Sequence, residues 1–142
     1  MMREPFLILA GWLSLLAAVL HLAVIVGGPD WYRFFGAGEG MAGMAERGMI
    51  QPTLITLGIA AVLAIWAAYA FSGAGMIGKL PLLRTGLVVI TLIYLARGLL
   101  IIPAALMQRE INAFGWWSSL IVLGYGVAYL IGTWRAWPRL AP

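Results

Sequence analysis

The sequence predicts an all-α integral membrane protein: a bundle of four transmembrane helices with one long outside loop carrying short interfacial helices. Three observations predict it. The 142 residues are 63% hydrophobic and only 10% charged, with a mean hydropathy of +0.99. A soluble domain averages roughly 45–50% apolar and ~25% charged. The apolar residues fall into four runs, each long enough to cross a hydrocarbon core of ~30 Å. Tryptophans gather at the ends of the last run, where interfacial anchors belong.

Taken in order, Met1 to Glu4 form a short polar start, and the first span covers residues 6–27. At ~1.5 Å per residue that run reaches about 33 Å. It is longer than the ~7–15 residues of a signal-peptide core and lacks a good small-residue cleavage pattern, so it is read as a retained span. The outside loop, residues 28–51, is the one long connection. Pro29 and Asp30 give a helix-start signal. Four aromatics in the run Trp31-Tyr32-Arg33-Phe34-Phe35 suit the headgroup region or a fold back over the bundle. Residues 39–47 have the spacing of two helical turns, with Met41, Met44 and Ala45 on the apolar side.

The second span, 52–71, opens on Pro52, which fits a first helical turn, and leads into a glycine-rich turn. The third covers 82–106, with Pro103 near its end. The fourth covers 114–134, opened by Trp116-Trp117 and closed by Trp134 and Trp137. All four make one domain over residues 1–142. Basic residues orient it: Arg3, Lys79, Arg84, Arg135 and Arg139 lie on one side, and Arg33, Arg47 and Arg109 on the other beside Asp30, Glu39, Glu46 and Glu110. The positive-inside rule puts both termini in the cytoplasm. The compact Ala/Gly/Arg-rich style suggests a bacterial inner membrane.

The one guanidinium inside a span is Arg97. Arginine keeps its proton in proteins, and a charge in the bilayer interior is costly enough to be paired, snorkelled or functional. Arg97 lies fifteen residues after Leu82, ~22 Å up the third span, or ~18 Å if the span starts at Thr85. His21, the single histidine, lies fifteen residues after Phe6, ~22 Å up a span that runs the same way. Tyr94, three residues before Arg97, is expected to share its face. These residues predict a small polar pocket in the outer half of the bilayer, walled by His21, Tyr94 and Arg97 and capped by the loop with Asp30 and Glu39. The competing reading makes Arg97 snorkel to the outer boundary or close a structural ion pair with Asp30, Glu39 or Glu110. A lone histidine in an apolar helix is, by the same logic, more often a packing residue than a ligand.

Several chemistries are excluded or weakened. With no cysteine, the chain has no disulfide, thiolate metal site, cysteine nucleophile or acylated cysteine. One histidine is too few for zinc or bis-histidine haem within one chain. Met41, Met44 and Met49 have no patterned repeat and are read as apolar anchors rather than Cu(I) ligands, so no metal and no cofactor is expected. The net charge of +4 comes without a basic run, so no nucleic-acid partner is expected. A proton-driven exporter that depends on an acid within its first span is disfavoured, because that span offers only His21.

Three function classes stay open. The first is a non-enzymatic protein that binds a lipid or other amphiphile, or supports a partner complex; one fixed cation among apolar walls suits a polar-headed lipid. The second is an intramembrane enzyme acting on a lipid, with His21 or Glu39 as acid or base and Arg97 as electrostatic stabiliser. The third is an oligomeric transporter of small molecules. Membrane lipids are the expected partners, and small-residue faces at Ala60, Ala64 and Ala68 and at Gly124, Ala128 and Gly132 suit helix packing or a homodimer.

Overall fold

A computed structural model describes residues 3–141; Met1, Met2 and Pro142 lie outside it. The described chain is helical, with no strand among the described residues. Four helices are long and apolar enough to cross a membrane, as expected of a multi-pass membrane protein. In order they are α1 (Pro5–Gly27), the short α2 (Pro29–Phe34) and α3 (Glu39–Glu46), α4 (Gln51–Gly73), α5 (Leu83–Leu99), α6 (Ile101–Leu106) and α7 (Ala113–Ala136), which ends in a 3₁₀ turn, Trp137–Leu140. The chain packs as two compact units. One holds the residues up to Ser14 and from Ile65 onward, the other Leu15–Ala64.

The helix ends follow local chemistry. Pro5 starts α1, where its missing N–H costs nothing. The buried Glu4 carboxylate accepts the Leu7 amide at 2.8 Å, capping the positive end of the helix. Its other oxygen lies 3.4 Å from Arg135 Nε. Gly28, at φ +76°, makes the turn into α2 in a region that costs glycine nothing. Asn112 Oδ1 accepts the Gly115 amide at 2.8 Å and so opens α7.

The third span is not the single helix expected over 82–106. It breaks at Leu100 into α5 and α6. Pro103 explains this: it has no N–H to give the Leu99 carbonyl, and its ring crowds that carbonyl. The neighbouring bond, Ala104 N to Leu100 O, is stretched to 3.4 Å.

In the first unit, α5 and α7 lie close because glycines remove the side chains between them. A Cβ on Gly98 would sit 2.8 Å from the Leu123 Cα, and one on Gly126 would sit 2.7 Å from the Leu95 side chain. On α7, Ala128 and Gly132 are buried within the chain, and Gly132 faces Leu7 and Glu4. Gly124, expected on the same small face, is instead exposed with open space around it. The second unit folds its loop back onto its own helices: Tyr32 and Ala42 bury with Val24, and Phe35, Met41 and Ala45 pack around them. The Thr56 hydroxyl donates to the Pro52 carbonyl at 2.7 Å and lies 3.2 Å from the Tyr32 hydroxyl.

Candidate functional site

Arg97 is exposed in the last turn of α5. Among the described residues it has no hydrogen-bond or ion-pair partner. The α5 break gives its position some logic. The Leu99 carbonyl loses its amide donor to Pro103, and the negative end of the α5 dipole favours a cation in the last turn. Hydrocarbon surrounds it on the same helix, with Ile93, Leu99 and Leu100 all exposed.

Tyr94 does not share that environment. It is buried, and its hydroxyl meets Ser14 Oγ at 2.8 Å. Ser14 Oγ also lies 2.7 Å from the Tyr129 hydroxyl, which donates to the Trp66 carbonyl at 3.1 Å. The protons can be assigned by elimination, since each hydroxyl carries one. Tyr129 gives its proton to Trp66, so Ser14 gives to Tyr129 and Tyr94 gives to Ser14. The result is a closed relay of three hydroxyls ending on a carbonyl, wrapped in rings: Tyr94 stands edge-on to Trp66 at 5.0 Å and to Tyr125 at 5.6 Å. Every member is satisfied, which makes this a clamp between α1, α4, α5 and α7 within the first unit. Ser14, Tyr129 and Trp66 gave no sequence signal, because a single serine in an apolar run has no periodicity to betray it.

Asp30 and Glu39 also find a different partner from the one expected. Both bind Arg33. Its Nε donates to the two Glu39 oxygens at 3.1 and 3.0 Å, its Nη2 reaches Glu39 and Glu46 at 2.6 Å each, and its Nη1 reaches Asp30 at 3.2 Å. One guanidinium thus ties the start of α2 to both ends of α3. The hydrogen bonds from Arg33 hold the Glu39 carboxyl below its ordinary range, and those to Glu39 and Glu46 push the Arg33 guanidinium further up. A depressed carboxylate stabilises the fold above its unfolded pKa and loses that effect as pH falls through the folded value. Fluorescence of Trp31 is therefore expected to stay constant from neutral pH down to about pH 5 and to change below ~4, near and under the ordinary glutamate value. In Arg33→Gln that acid step disappears; an unchanged step in the variant would show that the cluster does not hold the loop.

His21 is half-buried, and its Nδ1 lies 2.7 Å from the Ala17 carbonyl one turn earlier. A carbonyl only accepts, so Nδ1 carries the proton and a neutral ring keeps its lone pair on Nε2. His21 belongs to the second unit and Arg97 to the first. Among the described residues, no group of three or more His, Cys, Asp or Glu is placed to hold a metal ion.

An apolar groove of about 490 Å³ runs along α5 and α7, walled by Val88, Leu92, Leu95, Leu130 and Trp134. At 3.6 residues per turn its α5 residues lie roughly 120–180° round the helix from Arg97. The groove can take a hydrocarbon chain; Thr91 and Thr133 also line it but are buried, and no charged group stands in it to orient a headgroup.

Comparison with family models, curated proteins and solved structures finds no match. The functional reading therefore rests on the chain's own chemistry.

Proposed function

We propose that this is a non-enzymatic multi-pass membrane protein that binds an anionic amphiphile at Arg97, either as a lipid-binding protein or as an accessory subunit. In this reading the termini lie in the cytoplasm and Arg97 lies in the outer half of a bacterial inner membrane. One observation carries it: a permanently charged side chain projects from the apolar flank of α5 without a counter-ion among the described residues. Of the five acids in the chain, Asp30, Glu39 and Glu46 are taken by Arg33 and Glu4 by Arg135, and the fifth, Glu110 in the α6–α7 link, forms no ion pair with Arg97. A guanidinium left in a bilayer draws in an anion from outside the chain, and a phosphate or carboxylate headgroup pairs with it through two parallel hydrogen bonds. Tyr94, held by Ser14 in the hydroxyl relay, positions α5 from the core.

Native mass spectrometry of the chain released from lipid nanodiscs tests it. The wild type is expected to retain a specific anionic lipid, Arg97→Lys to retain less, and Arg97→Leu none. Identical bound species in all three would reduce Arg97 to an architectural residue.

A further inference from the structure

A second polar feature lies at the other end of the first unit, where the chain enters α1, turns from α4 into α5, and leaves α7. Five of the nine cations lie here, Arg3, Lys79, Arg84, Arg135 and Arg139, against a single acid, Glu4. The whole formal excess of +4 is concentrated in this region, because the remaining four cations are balanced by the remaining four acids.

Two of the five, Arg135 and Arg84, lie outside the lining of the cavity at this end. Arg135 pairs with Glu4 and lies over the Phe6 ring. Arg84 donates to the Trp137 carbonyl at 2.9 Å and stacks on that indole at 4.6 Å. The other three, Arg3, Lys79 and Arg139, line a cavity of about 160 Å³ together with Ser72 and the backbone of residues 73–75. That is room for roughly five waters at ~30 Å³ each, enough for a phosphate group. No carboxylate lines it.

The cavity is a built feature rather than a chance gathering of long side chains. Ser72 is buried; its hydroxyl donates to the Gly78 carbonyl at 2.9 Å and accepts the Leu80 amide at 3.0 Å. This closes residues 72–80 into a fixed loop. Gly75 takes the left-handed conformation at φ +78° with no atom within 4 Å of a Cβ built on it, so the rim stays open there. Lys79 Nζ reaches the Ala141 carbonyl at 2.7 Å, tying the loop to the tail of the chain.

We propose that the cavity framed by Arg3, Lys79 and Arg139 binds the phosphate of an acidic phospholipid headgroup. Basic pockets between spans on the cytoplasmic side suit anionic headgroups. The site shares no residue with the one assigned to Arg97 and stands whether or not that assignment holds.

The test is native mass spectrometry of the full chain from phosphatidylcholine nanodiscs doped with phosphatidic acid. The double variant Arg3→Gln/Arg139→Gln is compared with Arg109→Gln, which removes a cation from the α6–α7 link instead. Retention of phosphatidic acid is expected to fall roughly 30-fold in the double variant, the worth of two interfacial cations, and to hold in Arg109→Gln. Arg3→Gln alone, at an exposed position before α1, is expected to give an intermediate loss and guards against misfolding of the double variant. Competition by inorganic phosphate would identify a free phosphate as an equally good ligand of the same cavity. Insensitivity to it, with the lipid retained, identifies the headgroup. Equal retention in the wild type, the double variant and Arg109→Gln would overturn the proposal.

Discussion

Replacing Gly98 with valine is expected to destabilise the protein by about 1–3 kcal/mol, the usual cost of overpacking a core, and at the upper end of that range. The reason lies in what the new side chain meets. A Cβ at this position comes within 2.8 Å of the Cα and 2.9 Å of the backbone nitrogen of Leu123. A backbone cannot rotate away as the tip of a side chain can, so α5 and α7 must separate along their contact. Gly126→Val meets the Leu95 side chain at 2.7 Å and the Leu95 nitrogen at 3.0 Å, so its cost should be similar or slightly smaller. Gly124→Val is the control on the same helix, with open space around it, and should stay within ~0.5 kcal/mol. Unfolding in mixed micelles measures all three. Equal costs for Gly98→Val and Gly124→Val would show that the close approach is not what holds these helices.

The second large effect is expected at Ser14. Ser14→Ala removes the acceptor for the Tyr94 proton and the donor to Tyr129, leaving a buried phenol without a partner. An orphaned polar group costs about 1–3 kcal/mol, while interhelical hydrogen bonds in membrane proteins average nearer ~0.6 kcal/mol; about 1–2 kcal/mol is expected here. The double variant Ser14→Ala/Tyr94→Phe supplies the sharper test. Deleting the orphaned hydroxyl should recover part of the loss, so the double change costs less than the sum of the two single changes. Strict additivity would mean that the two hydroxyls do not act as one relay.

The four long apolar helices were legible in the sequence because length and composition are local properties. The break in the third span was half legible: Pro103 was visible, but read as the approach to an end rather than as the cause of a break one turn earlier. Side-chain partnerships were much less legible. Tyr94 and Arg97 are three residues apart, which leaves them ~60° apart round a helix. That angle is enough to put one in the core and the other on the surface. Asp30 and Glu39 are expected over the pocket or paired with Arg97, but their partner depends on the path of the loop, and the loop brings Arg33 to them. Ser14, Gly98 and Gly126 act only through neighbours far along the chain, so nothing in their local sequence marks them.

These partnerships sharpen the case for Arg97. With the loop acids on Arg33 and Tyr94 in the relay, the proposal leaves Arg97 to be answered from outside the chain. The most direct measurement is photo-crosslinking in nanodiscs with an anionic phospholipid that carries a photoactivatable group at its headgroup, followed by mapping of the adducts. Adducts are expected on the Arg97 flank of α5, at Ile93 and Leu100, and should vanish in Arg97→Leu while those elsewhere on the lipid-facing surface persist. Adducts on that flank at equal yield in wild type and Arg97→Leu would contradict the account.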